Sequence, residues 1–366
     1  MKMMSSPNIG WLFYKGYYRN VTDDDYLFML LSKEDRRARE KEEETLEKKI
    51  SKNVQNVIDV EVSIEDSQNL GNSHFKATTT YPGLLLGTGI DHELPAINNQ
   101  AILGFTFDYT TGLPIISASS VKGVLRSAFK HADYIQFLLD DETFDVKALE
   151  LEIFGQDNGA KKVFQGRDIF FDALVVSDGK ILGDDYLAPH GNDALKNPVP
   201  LRFVKVLPAV TFQFDFELTD GILDKERKTI LFAQILSDLG IGAKSNVGYG
   251  KFSSDLLSKA KLAIESQKEE ERKREEDRVE QERAESEAKA LESLDSNIEK
   301  IKVQIKEFSK KETKKIYDIV VTYELDADEK KALIEHLHLQ IGEKPAPKNQ
   351  APVKWAIKIY EFLDEE

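Results

Sequence analysis

The sequence predicts an α+β protein with a mixed core in mid-chain, an aromatic helical segment before it and a helical extension behind it. Between about residues 74 and 254, alternating β-branched and aromatic runs are interleaved with helical stripes. From 291 onward, apolar residues recur at helical spacing. The piece between them, 266–290, carries 7 basic and 10 acidic side chains among 25, with Val279 its only large apolar residue. Such a piece has no hydrophobic face to bury, so it separates the core from the extension.

At 366 residues the chain has room for about two domains. It is 41% hydrophobic and 31% charged, with 50 Lys and Arg against 65 Asp and Glu, a formal charge of -15. That balance excludes a surface that gathers nucleic acid by net charge, but not a local basic groove, because recognition depends on where the charge sits. The absence of cysteine excludes disulfides, thiolate catalysis, iron–sulfur clusters and Cys-ligated zinc. The opening MKMMSSPNIGWLF lacks the apolar core of a signal peptide, and no stretch reaches the ~18 apolar residues of a membrane span. A soluble cytoplasmic protein without a membrane partner is expected.

In chain order, residues 11–31 are rich in aromatics (Trp11, Phe13, Tyr14, Tyr17, Tyr18, Tyr26, Phe28). Packing onto a neighbouring surface is favoured over an exposed stacking platform. Leu46, Ile50, Val54 and Val57 then form a helical stripe. HFKATTTY (74–81) alternates as a strand and GLLLGTG (83–89) ends it; AILGFTFDY (101–109) is a second extended run. SSVKGVLRSAF (119–129) reads as a helix start with serine caps. DIFFDALVV (168–176) and PAVTFQFDFEL (208–218) read as strands, 225–239 as an amphipathic helix and VGYGKF (247–252) as a last short strand. The order β, α, β, β, α, β is the ferredoxin-like order shared with RNA-recognition modules. Beyond the core, Glu269–Lys273 and Glu270–Arg274 pairs support a solvated helix. Leu291, Leu294, Ile298, Ile301, Ile305 and Phe308 then recur at alternating steps of 3 and 4. The expected division is an N-terminal segment 1–73 packed on the core, a core domain 74–257, a charged helical linker 258–290 and a small helical bundle 291–366. A chain cut near Ser258 is expected to keep a folded core.

Two constellations suggest ligand contact. At the 117–126 helix start, Ser119 and Ser120 flank a first turn of free N–H groups. Lys122 and Arg126, four apart, share a face there, a combination suited to seating a phosphate. The plainer reading is a capped helix with two solvated cations. The second is the run Gly240 to Lys251, in which Gly240, Gly242, Gly248 and Gly250 permit close backbone approach. Lys244 and Lys251 supply charge, Asn246 a polar side chain and Tyr249 a ring. Ser245 stands where a dinucleotide fingerprint needs its third glycine, and no Walker loop fits. A helix C-cap followed by a glycine-bulged strand is the alternative there.

The runs YTTGLPIISASSVKGVLRSAF, IFG (153–155), IFFDALVV, LAPH (187–190), PLRFVKVLPAVTFQFDF and DLGIGAKSNVGYGKF resemble the RAMP superfamily of CRISPR effector proteins. Their arrangement is similar to the RAMP subunit that ends the backbone of the type III-B (Cmr) complex. The resemblance covers about 74–254, and one departure is Ser117-Ala118 where the family usually has Pro-Gly before the serine pair. It implies a ferredoxin-like RAMP domain that holds the 3′ part of a CRISPR RNA. Such a subunit assembles with other RAMP subunits and small helical subunits to capture complementary target RNA. The RNA contacts it points to here are Ser119, Ser120, Lys122, Arg126, Gly242, Lys244, Asn246, Gly248, Tyr249, Gly250, Lys251 and His92. The extension after 258 has no counterpart in it.

Catalysis is the competing reading, and a protein–protein scaffold is a third. Asp91-His92-Glu93 offers acid–base groups for RNA cleavage, as related RAMP subunits use a loop aspartate. Neighbours on an extended chain point to opposite sides, so Asp91 and His92 need not converge. His190 suits a structural role, and His336 and His338, two apart on a helix, make a poor metal pair. No catalytic residue, metal or cofactor is expected.

Overall fold

The computed structural model describes residues 8–64, 69–86, 94–95, 97–98, 100–101, 104–156, 164–187, 200–292, 296–309, 311–342, 344–345 and 351–364. The chain forms two compact units, Met1–Lys268 and Glu269–Glu366.

Unit 1 opens with four helices, α1 (Ile9–Tyr14), α2 (Asp23–Met29), α3 (Lys33–Arg37) and α4 (Glu40–Ile58). Capping serves α2, where Thr22 and Asp25 form a reciprocal box. The aromatic segment packs as its composition suggests: Phe13 and Tyr17 are buried, Phe13 lies 5.3 Å from the Phe107 ring, and Tyr14 donates to the Phe105 carbonyl at 2.7 Å. Trp11 and Tyr26 remain exposed. On α4, Leu46, Ile50, Val54 and Val57 face the core, and Asn53 donates to the Tyr17 carbonyl at 2.8 Å.

After β1 (Glu61–Val62), a five-stranded sheet is built from β2 (Ser73–Thr78), β3 (Ile115–Ile116), β6 (Ile169–Phe170), β7 (Ala173–Val175) and β11 (Thr211–Glu217). Three helices, α5 (Ala118–Ala128), α6 (Ala132–Leu139) and α7 (Val146–Phe154), precede the short β4 (Gly155–Gln156), β5 (Phe164–Gln165) and β8 (Gly179–Lys180). A hairpin of β9 (Leu182–Leu187) and β10 (Leu201–Val206) leads to β11, and α8 (Lys225–Leu239) follows. The strand order is β2-β11-β7-β3, all antiparallel, with β6 also on β11. An antiparallel bridge from Thr79 to Phe252 adds a residue beyond β2. Phe75, Phe214 and Phe216 with Phe232 of α8 form the aromatic heart of the core.

Several elements differ from the pattern. Residues 168–176 are two strands, because Asp172 leaves the ladder to accept from the Ala118 N–H at 2.6 Å. The 101–109 run is held by isolated bridges, Ala101 to Arg202 and Phe107 to Pro114. Residues 247–252 are not a strand: Ser245–Val247 is a 3-10 turn, Gly248 and Gly250 have positive φ, and Phe252 alone bridges. The hairpin β9–β10 and helices α6 and α7 have no counterpart in the sequence reading.

The long helix α9 (Leu256–Glu292) starts inside unit 1, where Leu256, Ala260 and Ile264 are buried four residues apart. The compact units therefore divide after Lys268 and not at 257, and a cut near Ser258 removes core residues. Farther along, α9 is solvated, with Glu269–Lys273 at 3.6 Å and Glu270–Arg274 at 4.0 Å. Unit 2 contains α10 (Asn297–Ile305), α11 (Thr313–Val320), α12 (Ala327–Gln340) and α13 (Ala351–Asp364). They bury Ile301, Ile305, Ile316, Val320, Leu333, Leu337, Ile359, Tyr360 and Leu363 together.

One buried cluster went unseen in the sequence. Lys228 of α8 is 0% exposed, and its Nζ meets Asp168 at 2.9 Å, Glu152 at 2.9 Å and the Thr219 carbonyl at 2.7 Å. Burial alone raises the Glu152 pKa, but hydrogen bonds from Lys228 and the Ile222 N–H hold the carboxyl below its usual value. Lys228→Ala should cost about 3–5 kcal/mol in chemical denaturation, since it strands the buried Asp168 carboxylate and leaves the half-buried Glu152 beside it. A chain ending at Lys268 should unfold as cooperatively as intact unit 1. One ending at Asp255 should lose about 1.5–3 kcal/mol for each of the large side chains Leu256 and Ile264, and an equal melting temperature for the two truncations would contradict this packing.

Candidate nucleic-acid interface

The first constellation is built by the turn into α5. Ser117, not Ser119, is the N-cap; its Oγ accepts from the Ser120 N–H at 3.4 Å and lies 2.8 Å from the Ser120 hydroxyl. The Ala118 N–H is taken by Asp172. A carboxylate therefore already occupies one donor of the turn that was expected to face an anion. Lys122 Nζ rests 5.7 Å from the centre of the Phe170 ring. Arg126 reaches Glu150 with Nε at 3.3 Å and the Gly155 carbonyl with Nη2 at 3.4 Å. First turn, Lys122 and Arg126 are thus committed to separate partners, and they do not converge on a single phosphate cradle. Ser119 and Arg126 are exposed, Ser120 and Lys122 half-buried.

The second constellation is a structured loop. Its glycines let two backbone segments touch: Ile241 N–H donates to the Gly250 carbonyl at 2.9 Å, and Ala243 N–H to the Leu85 carbonyl at 2.9 Å. A Cβ on Gly250 would run into the Ile241 carbonyl and one on Gly242 into that of Leu85, and both have positive φ. Lys244 adopts the left-handed conformation (φ 60°) without being glycine. Gly242, Lys244, Asn246 and Val247 are exposed. Among the described residues, the N–H groups of Gly242, Lys244, Ser245 and Asn246 donate to no protein acceptor, and Lys244 forms no ion pair. Successive outward N–H groups beside a cation form a concavity suited to phosphate oxygens.

Tyr249 and Lys251, expected to meet the ligand, instead hold the loop. Tyr249 donates to Asp185 at 2.8 Å, and Lys205 donates to the same carboxylate at 2.6 Å while lying 5.9 Å from the Tyr249 ring centre. Phe203 packs edge-on against that ring at 6.1 Å. Lys251 Nζ caps the Asp238 carbonyl near the end of α8 at 2.6 Å. Burial and the Asp185 carboxylate raise the Tyr249 pKa well above that of a free phenol. Burial works against the Asp185 charge, yet the bonds from Lys205 and Tyr249 keep its carboxyl below the ordinary range. Asp185, Lys205 and Phe203 were missed because they converge only through the β9–β10 register; the alternation in LRFVKV (201–206) was the available signal.

No hydrogen bond, ion pair or ring contact among the described residues joins 117–126 to 240–251. His92, with Asp91 and Glu93, lies outside the described residues, as does His190. His336 lies on α12, where burial and nearby Lys302 lower its pKa. Among the described residues no cluster of three or more His, Asp or Glu could hold a metal ion, and no helix is long and apolar enough to cross a membrane.

Residues 76–253 match the RAMP superfamily model and constitute a RAMP-superfamily domain. Within that class, the chain is similar to the CRISPR system CMR subunit Cmr6 of Saccharolobus solfataricus, at 30% identity over 154 residues. The match covers 41% of this chain and 48% of that protein, so it spans about half the length of the curated relative. Among solved structures, a chain of the cryo-EM structure of the type III-B Cmr-beta complex bound to cognate target RNA aligns at 21% identity and TM-score 0.39, covering 67% of this chain and 85% of that one. The crystal structure of Cmr6 from Pyrococcus furiosus aligns at 22% identity and TM-score 0.31, covering 49% and 95%.

Asp185→Asn should lower stability by about 1–2 kcal/mol at neutral pH, the lower part of the range for charge-assisted bonds because the group is partly exposed. The depressed pKa means that Asp185 contributes fully above its unfolded value of about 3.9 and loses that contribution as pH falls through the folded value. Denaturation curves of parent and variant should differ by a constant amount from about pH 5 to 7 and converge below about pH 4.

Proposed function

We propose that this chain is a non-catalytic CRISPR RNA-binding subunit of a type III-B (Cmr) effector complex, holding the 3′ part of the guide at the end of the backbone. The observation that carries the reading is the rigid 240–251 loop of a RAMP domain. It turns Lys244, Asn246 and a row of N–H groups outward while its inward side chains lock it in place. The similarity to a Cmr6 subunit supports the choice of complex.

The strand order, with Phe252 beside β2 and α5 and α8 in the crossovers, supports a ferredoxin-like reading of the sheet. Its partners on this reading are CRISPR RNA, complementary target RNA, other RAMP subunits and small helical subunits in a cytoplasmic ribonucleoprotein. No guide contact is assigned to the helical unit beyond α9. Gripping a phosphate needs donors and a cation, whereas cleaving it also needs an oriented base. Target cutting is therefore assigned to other subunits.

Lys244→Ala should weaken guide binding and reduce the salt slope of the affinity by about 0.7, the value for one single-strand phosphate contact. Lys122→Ala with Arg126→Ala should change the slope less, since both side chains already have protein partners. An unchanged slope in the folded Lys244→Ala protein would remove the loop from the interface. For the non-catalytic role, a complex carrying Asp91→Ala and His92→Ala should give the same target fragments as the parent. Loss of one specific cut with assembly intact would assign nuclease activity to this chain.

A further inference from the structure

Tyr81 is 84% exposed, yet the turn that carries it is fixed. Thr80 donates to the Lys251 carbonyl through its N–H at 3.0 Å and its hydroxyl at 3.1 Å. Gly83 N–H donates to the Thr80 carbonyl at 2.7 Å, and the Gly83 carbonyl accepts from Gly250 N–H at 2.8 Å. Leu84 and Val206 exchange both backbone bonds, at 3.0 and 2.9 Å. Pro82 faces Gly248, where an added Cβ would lie 3.4 Å from the proline ring. The turn is therefore clamped into the glycine loop, while no ring contact or side-chain hydrogen bond joins Tyr81 to the described residues.

A bare ring on a rigid mount loses little conformational freedom when something stacks on it. Its surroundings decide what that something is. Lys244 and the N–H groups of Gly242, Lys244, Ser245 and Asn246, which donate to no protein acceptor among the described residues, are donors and a positive charge, complementary to phosphate. Val247, 68% exposed, adds apolar surface on the same loop. Tyr109 is 97% exposed, but its turn carries the Asp108 carboxylate, which repels phosphate.

We propose that Tyr81 is a base-stacking platform: its ring receives one unpaired RNA base while Lys244 and the 242–246 backbone hold the adjoining phosphates. This rests on the RNA-binding reading of the loop and adds to it a base contact. Stacking is tolerant of sequence because every base has a π-face, so the platform would fix the position of the strand without selecting its letters.

The test uses the full chain with a short single-stranded oligoadenylate, the same oligomer carrying 2-aminopurine, and an abasic oligomer of equal length. Tyr81→Ala should weaken oligoadenylate binding roughly tenfold or more, leave the salt slope and melting temperature unchanged, and relieve quenching of bound 2-aminopurine. Tyr81→Trp should restore affinity, and Tyr81→Ala should leave abasic binding unaltered. Parent-like binding by Tyr81→Ala, alongside weakened binding by Lys244→Ala, overturns the platform and leaves the loop reading intact. Unaltered binding in both variants, or no binding by the parent chain, overturns both. Normal RNA binding by Tyr81→Ala with failed assembly into the complex would make Tyr81 a protein contact and overturn the platform as well.

Discussion

Strand β11 is paired along both edges and covered on both faces, and the remaining parts of unit 1 take their positions from it. Phe212, Phe214 and Phe216 point into the aromatic core, and their burial aligns β2 on one side and β6 and β7 on the other. Gln213 and Asp215 lie on the opposite face, also buried, with the Gln213 amide donating to the carboxylate at 3.1 Å. Burial raises the Asp215 pKa, as expected for a carboxylate with little water around it. A one-residue slip of β11 would bury a charge among the phenylalanines and move the rings to the face that holds Gln213 and Asp215, so the register is strongly specified.

Each end of this strand leads to a different polar structure. At its start, Thr79 donates through Oγ1 to the Leu207 carbonyl and exchanges bonds with Val210, which fixes the approach to the 80–83 turn and the glycine loop. Past its end, Thr219 presents its N–H to Asp168 and its carbonyl to Lys228, tying α8 to α7 beneath the core. The first end supplies an exposed loop, the surface we propose for the ligand, and the second an inward, satisfied ion cluster. Their chemistry is similar; accessibility separates binding from structure.

The elements legible in the sequence are those whose signals are local. Helix α8 begins after Asp224, which caps it, and ends at Gly240, whose φ of 72° only glycine adopts readily, so 225–239 emerges at its predicted bounds. Strand β2 follows from alternation alone. Elements set by distant partners were not legible. The break at Asp172 exists because a helix N-terminus 54 residues away in sequence needs an acceptor. The VGYGKF run alternates like a strand, but positive φ at Gly248 and Gly250 turns it into a loop. From residue 258 the sequence reads as a tether, because Ala260 is a small signal between the buried Leu256 and Ile264.

The same distinction sorts the candidate site. Spacing alone made Lys122, Arg126, Lys244 and Lys251 equivalent cations. The fold places one over a ring, one against Glu150 and one on the Asp238 carbonyl, and leaves Lys244 without a partner among the described residues. In a chain of net charge -15, a lysine can lose its free charge to a carboxylate that packs against it. Asp185 shows how that is avoided here: it already accepts from Lys205 and Tyr249, so its charge stabilises the loop. The acidic groups thus stiffen the frame, and the left-handed turn at residue 244 carries the cation to the exposed side of the loop. Binding that uses one placed charge, oriented N–H groups and a ring draws on preorganisation and not on overall attraction, which is how an acidic protein can hold a polyanion at a defined position.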